Sequence, residues 1–275
     1  MALKLVSSTD LTRAQIESLF GRADEIANGA LPNLDQTGVG LALFNIAFPL
    51  PINAQEILRD AGAQITPIES ADKINAASAQ VILFSSPQTD IARQLSGNVS
   101  ASFLNAGDGM HENPVRALMD AYAIRTLKGE LGQQLIAILG NLKFSAEAHS
   151  LARVLGMFGG RISFVSPAAL SMPYDLTDEV RLTAYEVEET NDLATTLRKT
   201  DTLYLSNIDS SRVEKKIYDK QKDFYKLTPD IFREAKEGLA ILGEWDGAEE
   251  ILATTRPQVE RAGRAMLLAL VESAR

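Results

Sequence analysis

Two doubly wound parallel α/β domains are the fold class that this sequence predicts. Three observations carry the prediction. Short apolar runs bounded by glycine alternate with segments of helical apolar spacing, the pattern of a parallel sheet wrapped by helices. The alternation breaks near residue 130, at Lys128-Gly-Glu-Leu-Gly132, and then resumes. At about 150 residues per domain, 275 residues correspond to roughly two. The expected domains are 1–130 and 131–256, with the last helix, 257–273, packing back on the first.

Each element has its own signal. Ser8-Thr9-Asp10 reads as a polar cap before Leu11, Ile16, Leu19, Phe20 and Ile26, and Gly29 and Pro32 end that helix. Residues 38–44 (GVGLALF) form a short buried strand, 53–60 a helix stopped by Gly62, and 64–68 and 81–85 two more strands. Residues 100–104 are a strand entering a glycine loop at 105–109, followed by a helix over 114–127. The second block reads as a strand at 135–139, a helix at 146–158, and a strand at 162–165. A helix at 189–199, strands at 202–205 and 239–242, and a final helix with Pro257 near its start complete it.

Composition narrows the function. The chain has no cysteine and only two histidines, His111 and His149, so no metal site and no cofactor are expected. Its net charge of −9, from 27 basic and 36 acidic residues, repels phosphate backbones and disfavours nucleic acid. Apolar runs stop well short of the ~20 residues of a membrane span. Residues 1–10 lack a basic segment followed by an apolar core, so no secretory signal is expected and the location expected is cytoplasmic. The charge-dense stretch 210–226 mixes both signs and reads as solvated surface.

In open parallel sheets, ligands sit beyond the carboxyl ends of the strands. The loops that matter are therefore 45–53, 105–113, 141–148, 207–212 and 243–250. Here the chain resembles a known family. Asn105-Ala-Gly-Asp-Gly-Met-His-Glu-Asn-Pro-Val-Arg-Ala-Leu-Met-Asp120 is similar to the aspartate carbamoyltransferase segment NAGDG…HPTQALLD. Gly140-Asn-Leu-Lys-Phe-Ser-Ala-Glu-Ala-His-Ser-Leu151 resembles GDLKYGRTVHSL, and Ser166-Pro-Ala-Ala-Leu-Ser-Met-Pro173 resembles SPPELRMP. The resemblance runs in order through nearly the whole chain. It implies the aspartate/ornithine carbamoyltransferase fold, with a carbamoyl-phosphate domain, an amino-acid-binding (aspartate) domain and a catalytic trimer with shared sites.

The side chains that the resemblance would carry over are different here. Holding a phosphate dianion takes backbone N–H groups at a helix N-terminus together with arginine. Donors must also face the carbonyl oxygen where charge develops. The family's FEPSTRTR falls on 44–51, where Ala47, Phe48 and Leu50 replace the hydroxyl residues and Pro49 and Pro51 replace the arginines. Each proline also removes a backbone N–H. The histidine of HPTQ aligns with Asn113, its threonine and glutamine with Val115 and Arg116, and the arginine of KYGRT with Ala146. The arginine and glutamine of TRVQ align with Asn207 and Asp209, and HPLPR with Gly243-Glu-Trp-Asp-Gly247. No counterpart of the lysine-bearing SKGE loop lies in 69–80.

Alternatives stay open at several of these positions. Asp108, His111 and Glu112 form an acid–base group, or His111 is a solvated loop residue. Arg116 meets an anionic ligand, or pairs with Glu112 four residues earlier. Trp245 caps a new pocket, anchors an interface or packs its loop. His149-Ser150 reads as helix packing, and 105–109 as a turn kept for the fold. The leading expectation is a catalytically inactive homologue that assembles as a homotrimer or with a related enzyme. The alternative is a repurposed enzyme or small-molecule binder whose inter-domain cleft uses Asp108, His111, Glu112, Asn113, Arg116, Asn207, Asp209 and Trp245. The third is residual carbamoyl transfer.

Overall fold

The computed structural model describes residues 2–44, 52–208, 213–222, 224 and 226–275. Ala47, Phe48, Pro49, Leu50, Pro51 and Asp209 lie outside the described residues. Two compact units emerge. One comprises Met1–Tyr122 with Glu260–Arg275, the other Ala123–Val259. Helices α4 and α10, defined below, continue from one unit into the other.

The first unit contains β1 (Lys4–Leu5), α1 (Arg13–Ala27), β2 (Gly38–Leu43), α2 (Ala54–Asp60) and β3 (Gln64–Pro67). It continues with β4 (Val81–Ser86), α3 (Ile91–Ser96), β5 (Ser102–Asp108) and most of α4 (Pro114–Lys128). Its strands form one parallel sheet in the order β1-β5-β4-β2-β3. Every residue of β4 and β5 is buried, as strands covered on both faces require. Phe84 stacks on Phe103 at 5.1 Å within an apolar cluster that also holds Val6, Ile82 and Ile74. Ile74 anchors a 3-10 turn, Ala71–Ala76, in the segment where the resemblance would place the SKGE loop. Lys73 in that turn pairs with Glu69 at 2.5 Å.

The second unit contains the end of α4, β6 (Leu135–Gly140), α5 (Ala146–Met157), β7 (Arg161–Val165), α6 (Tyr174–Arg181), β8 (Glu186–Thr190) and α7 (Leu193–Leu197). β9 (Thr202–Ser206), α8 (Lys215–Gln221), β10 (Ala240–Gly243), α9 (Glu249–Leu252) and the start of α10 (Arg256–Ala274) follow. The parallel sheet runs β10-β9-β6-β7-β8. The remainder of α10 belongs to the first unit. There Glu272 pairs with Arg22 at 2.6 Å, Arg261 donates to the Ala27 carbonyl at 2.7 Å, and Gly263 seats Met119. The two doubly wound parallel sheets are the fold class that the sequence predicts. Among the described residues no helix is long and apolar enough to cross a membrane.

Three elements differ from the sequence reading. The first helix is capped by Thr12, whose hydroxyl accepts from Gln15 N, while Ser7 and Asp10 cap a separate 3-10 turn. The helix expected over 189–199 is strand β8 followed by α7. Glu189 and Thr190 end that strand, whose pairing sets Glu186 against Arg161 and Glu188 against Ser163, where each pair also bonds through its side chains. The glycine loop at 105–109 is strand as far as Asp108. Asn105 can be buried there because its Nδ2 donates to the Val6 and Glu112 carbonyls.

Candidate functional site

In the first unit, the carboxyl ends of β4 and β5 and the start of α4 bring several predicted residues together. Asp108 and Glu112 each hold backbone or side-chain donors of their own. Asp108 is buried, and its Oδ1 accepts from Ile91 N at 3.0 Å and Ala92 N at 3.4 Å, capping α3. The residue at the cap position itself, Asp90, makes no such bond and has φ +64°. Glu112 is buried, and its carboxylate accepts from Ser7 Oγ at 2.7 Å, Ser8 N at 3.2 Å and Ser8 Oγ at 3.0 Å. The chain on either side of Asp108 and Glu112 is thereby fixed before any substrate is considered.

His111 is the half-exposed member. Its Nδ1 lies 2.8 Å from Asp90 Oδ1 and 3.8 Å from Asp108 Oδ2. The surrounding carboxylates, Asp108 foremost with Asp90 and Glu112, raise its pKa above the ordinary histidine range, against partial burial. Ligand atoms of Asp90, Asp108 and His111 lie within 4.8 Å of one another, a spacing compatible with a cation. Asp108 Oδ1 is nevertheless held by two backbone N–H groups and His111 Nδ1 by Asp90, so hydrogen bonding accounts for the cluster. A raised pKa stabilises the folded chain fully below the unfolded value of about 6.5 and loses that effect as pH rises through the folded value. NMR titration, simple with two histidines, is expected to place His111 above 6.5. Asp90→Asn and Asp108→Asn should each lower it. An ordinary value insensitive to both variants contradicts the pairing.

Asn113 is also buried, and its Oδ1 accepts from Arg116 N at 3.0 Å, which makes it the cap of α4. Arg116 Nε donates to Asp120 Oδ2 at 2.7 Å, one turn further along, and both side chains are buried. The sequence reading missed two neighbours, Asp90 and Ser85. Ser85 Oγ is buried beside Gly107, with no hydrogen-bond partner among the described residues. Both belong to β4 or the loop after it, which the rule about carboxyl ends of strands already marked.

In the second unit, the loops after β6, β9 and β10 converge. Ala146 is fully buried at the start of α5, capped by Ser145. His149 Nε2 lies 2.8 Å from the Leu142 carbonyl, which only accepts, so this nitrogen carries the proton. Asn207 Nδ2 donates to Asp246 Oδ1 at 2.9 Å, joining the loops after β9 and β10. Gly243 has φ +103°, and a β-carbon on it would overlap the Leu205 carbonyl oxygen. Gly247 has φ +80° with open space around it. Trp245 packs between two apolar clusters, one holding Ala137, Leu139 and Leu205, the other Leu170, Ile208 and Val213.

No family model matches the chain. Relatives do. The aspartate carbamoyltransferase catalytic subunit of Methanopyrus kandleri is 27% identical over 267 residues, covering 90% of this chain and 86% of that protein. The catalytic subunit of Thermococcus onnurineus is 32% identical over 187 residues, covering 68% of this chain and 59% of that protein. Among solved structures, aspartate transcarbamoylase from Trypanosoma cruzi in complex with carbamoyl aspartate and phosphate superposes with a TM-score of 0.85 at 20% identity. That match covers 98% of this chain and 95% of the other. By its sequence relatives, and with the same fold, the chain belongs to the aspartate/ornithine carbamoyltransferase superfamily.

Proposed function

We propose that the chain is a catalytically inactive aspartate carbamoyltransferase homologue with a structural or regulatory role. The observation that carries this reading is the residue set at the aligned substrate positions. The Trypanosoma cruzi enzyme is known in complexes with carbamoyl phosphate and with aspartate, both anionic. Here the aligned positions hold Pro49, Pro51, Asn113, Ala146, Asn207 and Asp209, none of them cationic. Arg116, the one arginine gained, has its guanidinium on Asp120. Asn113 spends its side-chain oxygen on α4, and Asn207 is tied to Asp246. Carboxylates near a substrate dianion raise the cost of binding it.

The relatives carry the name of catalytic subunits, which supports an assembled state. We assign the chain to a cytoplasmic homotrimer or to an assembly with a related enzyme. Purified protein supplied with carbamoyl phosphate and aspartate is expected to form no carbamoyl aspartate above the buffer control. Product formation that disappears in Asn113→Ala would establish residual transfer and overturn the reading.

One observation favours a second reading, a small-molecule binder. Ser85 Oγ, at the carboxyl end of β4, is a buried hydroxyl with no partner among the described residues, and such a group costs about 1–3 kcal/mol until something bonds it. A metabolite that stabilises the chain, with the effect lost in Ser85→Ala, would select this reading, because ligands of the native state stabilise it by mass action.

A further inference from the structure

We propose that Trp245 is a resident plug in the ligand crevice of the second unit, which a ligand must displace in order to bind there. In a doubly wound sheet the crevice opens where the strand order reverses, at the carboxyl ends of the two strands that flank the reversal. In the order β10-β9-β6-β7-β8 that point lies between β6 and β9. The last paired residues of these strands are Gly140 and Ser206. The Trp245 ring sits on Gly140: a β-carbon there would lie 2.8 Å from Trp245 Cζ3. The missing side chain at Gly140 is thus what seats the ring.

The ring, itself partly buried, packs against two apolar clusters. Ala137, Leu139 and Leu205 belong to the sheet core, while Leu170, Ile208 and Val213 lie beyond the strand ends. An indole buries roughly 150–250 Å² in such a position. The backbone that carries it is held at several points. Glu244 N donates to the Leu205 carbonyl at 2.9 Å, Ala248 N donates to the Trp245 carbonyl at 3.2 Å, and Asn207 holds Asp246. Gly243, packed on the Leu205 carbonyl, sets the turn.

This goes beyond the inactive reading and does not depend on it. Loss of arginines weakens the binding of anions only, whereas a seated indole excludes ligands of any charge. An active enzyme with a displaceable plug, and an inactive one without a plug, are both conceivable outcomes that separate the two claims.

Trp245 is the only tryptophan, so its fluorescence reports the crevice alone. Acrylamide quenching of the native chain is expected to be several-fold weaker than that of the urea-unfolded chain, with blue-shifted emission. Trp245→Gly, checked for native secondary structure by circular dichroism, is expected to take up indole saturably and to rise in Tm with indole, while the parent chain does neither. Native quenching equal to the unfolded chain's would overturn the proposal, and so would a folded Trp245→Gly that takes up no indole. Should that variant fail to fold, Trp245→Ala is put to the same indole test, and the quenching comparison on the parent chain decides between the same two outcomes.

Discussion

Replacing Glu112 by alanine is expected to destabilise the chain by about 3 kcal/mol or more, because several buried hydrogen-bond donors would lose their acceptor at once. The carboxylate accepts from Ser7 Oγ, Ser8 N and Ser8 Oγ, binding the segment before α1 to the turn between β5 and α4, more than 100 positions away. Ser7 also caps the 3-10 turn through Thr9 N, and Asp10 holds Val6 N and Ser7 N at 2.8 Å. Removing Glu112 therefore unties a local structure that is itself well bonded. Glu112→Gln, which keeps an acceptor, should cost less. Urea unfolding of both variants measures the difference. A loss under about 1 kcal/mol for the alanine variant would mean that the clamp contributes no more than an ordinary hydrogen bond, and would return Glu112 to the candidate acids.

Gly140→Ala is expected to cost on the order of 3–5 kcal/mol, the sum of strain at a positive φ and overpacking against fixed neighbours. Gly140 has φ +119°, and a β-carbon would overlap the backbone carbonyl oxygen of Ser206 on the adjacent strand. It would also press on Trp245. A backbone oxygen in a paired strand cannot swing away as a flexible side chain would. The cost should appear as a lowered midpoint in urea together with red-shifted Trp245 emission. An alanine variant with unchanged midpoint and emission would contradict both the backbone geometry and the position of the ring.

Much of the fold was legible because parallel strands are buried on both faces and so read as apolar runs. VILFSS in β4 and LIAILG in β6 are such runs. β8 was not legible: EVEET is an edge strand whose glutamates answer residues of β7, and that pairing exists only in three dimensions. The missed helices α3, α6, α8 and α9 are short, with few apolar residues to set a period. Motif spacing pointed to the carboxyl ends of β4 and β5, where the structure brings these residues together, but residue type does not reveal their partners. Asp108, His111 and Glu112 stand within five positions, yet each faces a different partner. His111 meets Asp90, which no local pattern connects to it. Asn113, read as a replaced ligand and a cleft candidate, turns out to cap α4, while Ala146 starts the helix expected there. The seating of Trp245 over Gly140 joins positions more than 100 residues apart and follows only from the strand order.

The proposed inactivity requires that the chain hold no phosphate dianion. Isothermal titration calorimetry of the intact protein with carbamoyl phosphate tests this most directly. The expected result is no saturable heat at millimolar ligand, corresponding to binding weaker than about −4 kcal/mol. Saturable binding of carbamoyl phosphate with one site per chain, weakened in Asn113→Ala, would contradict it.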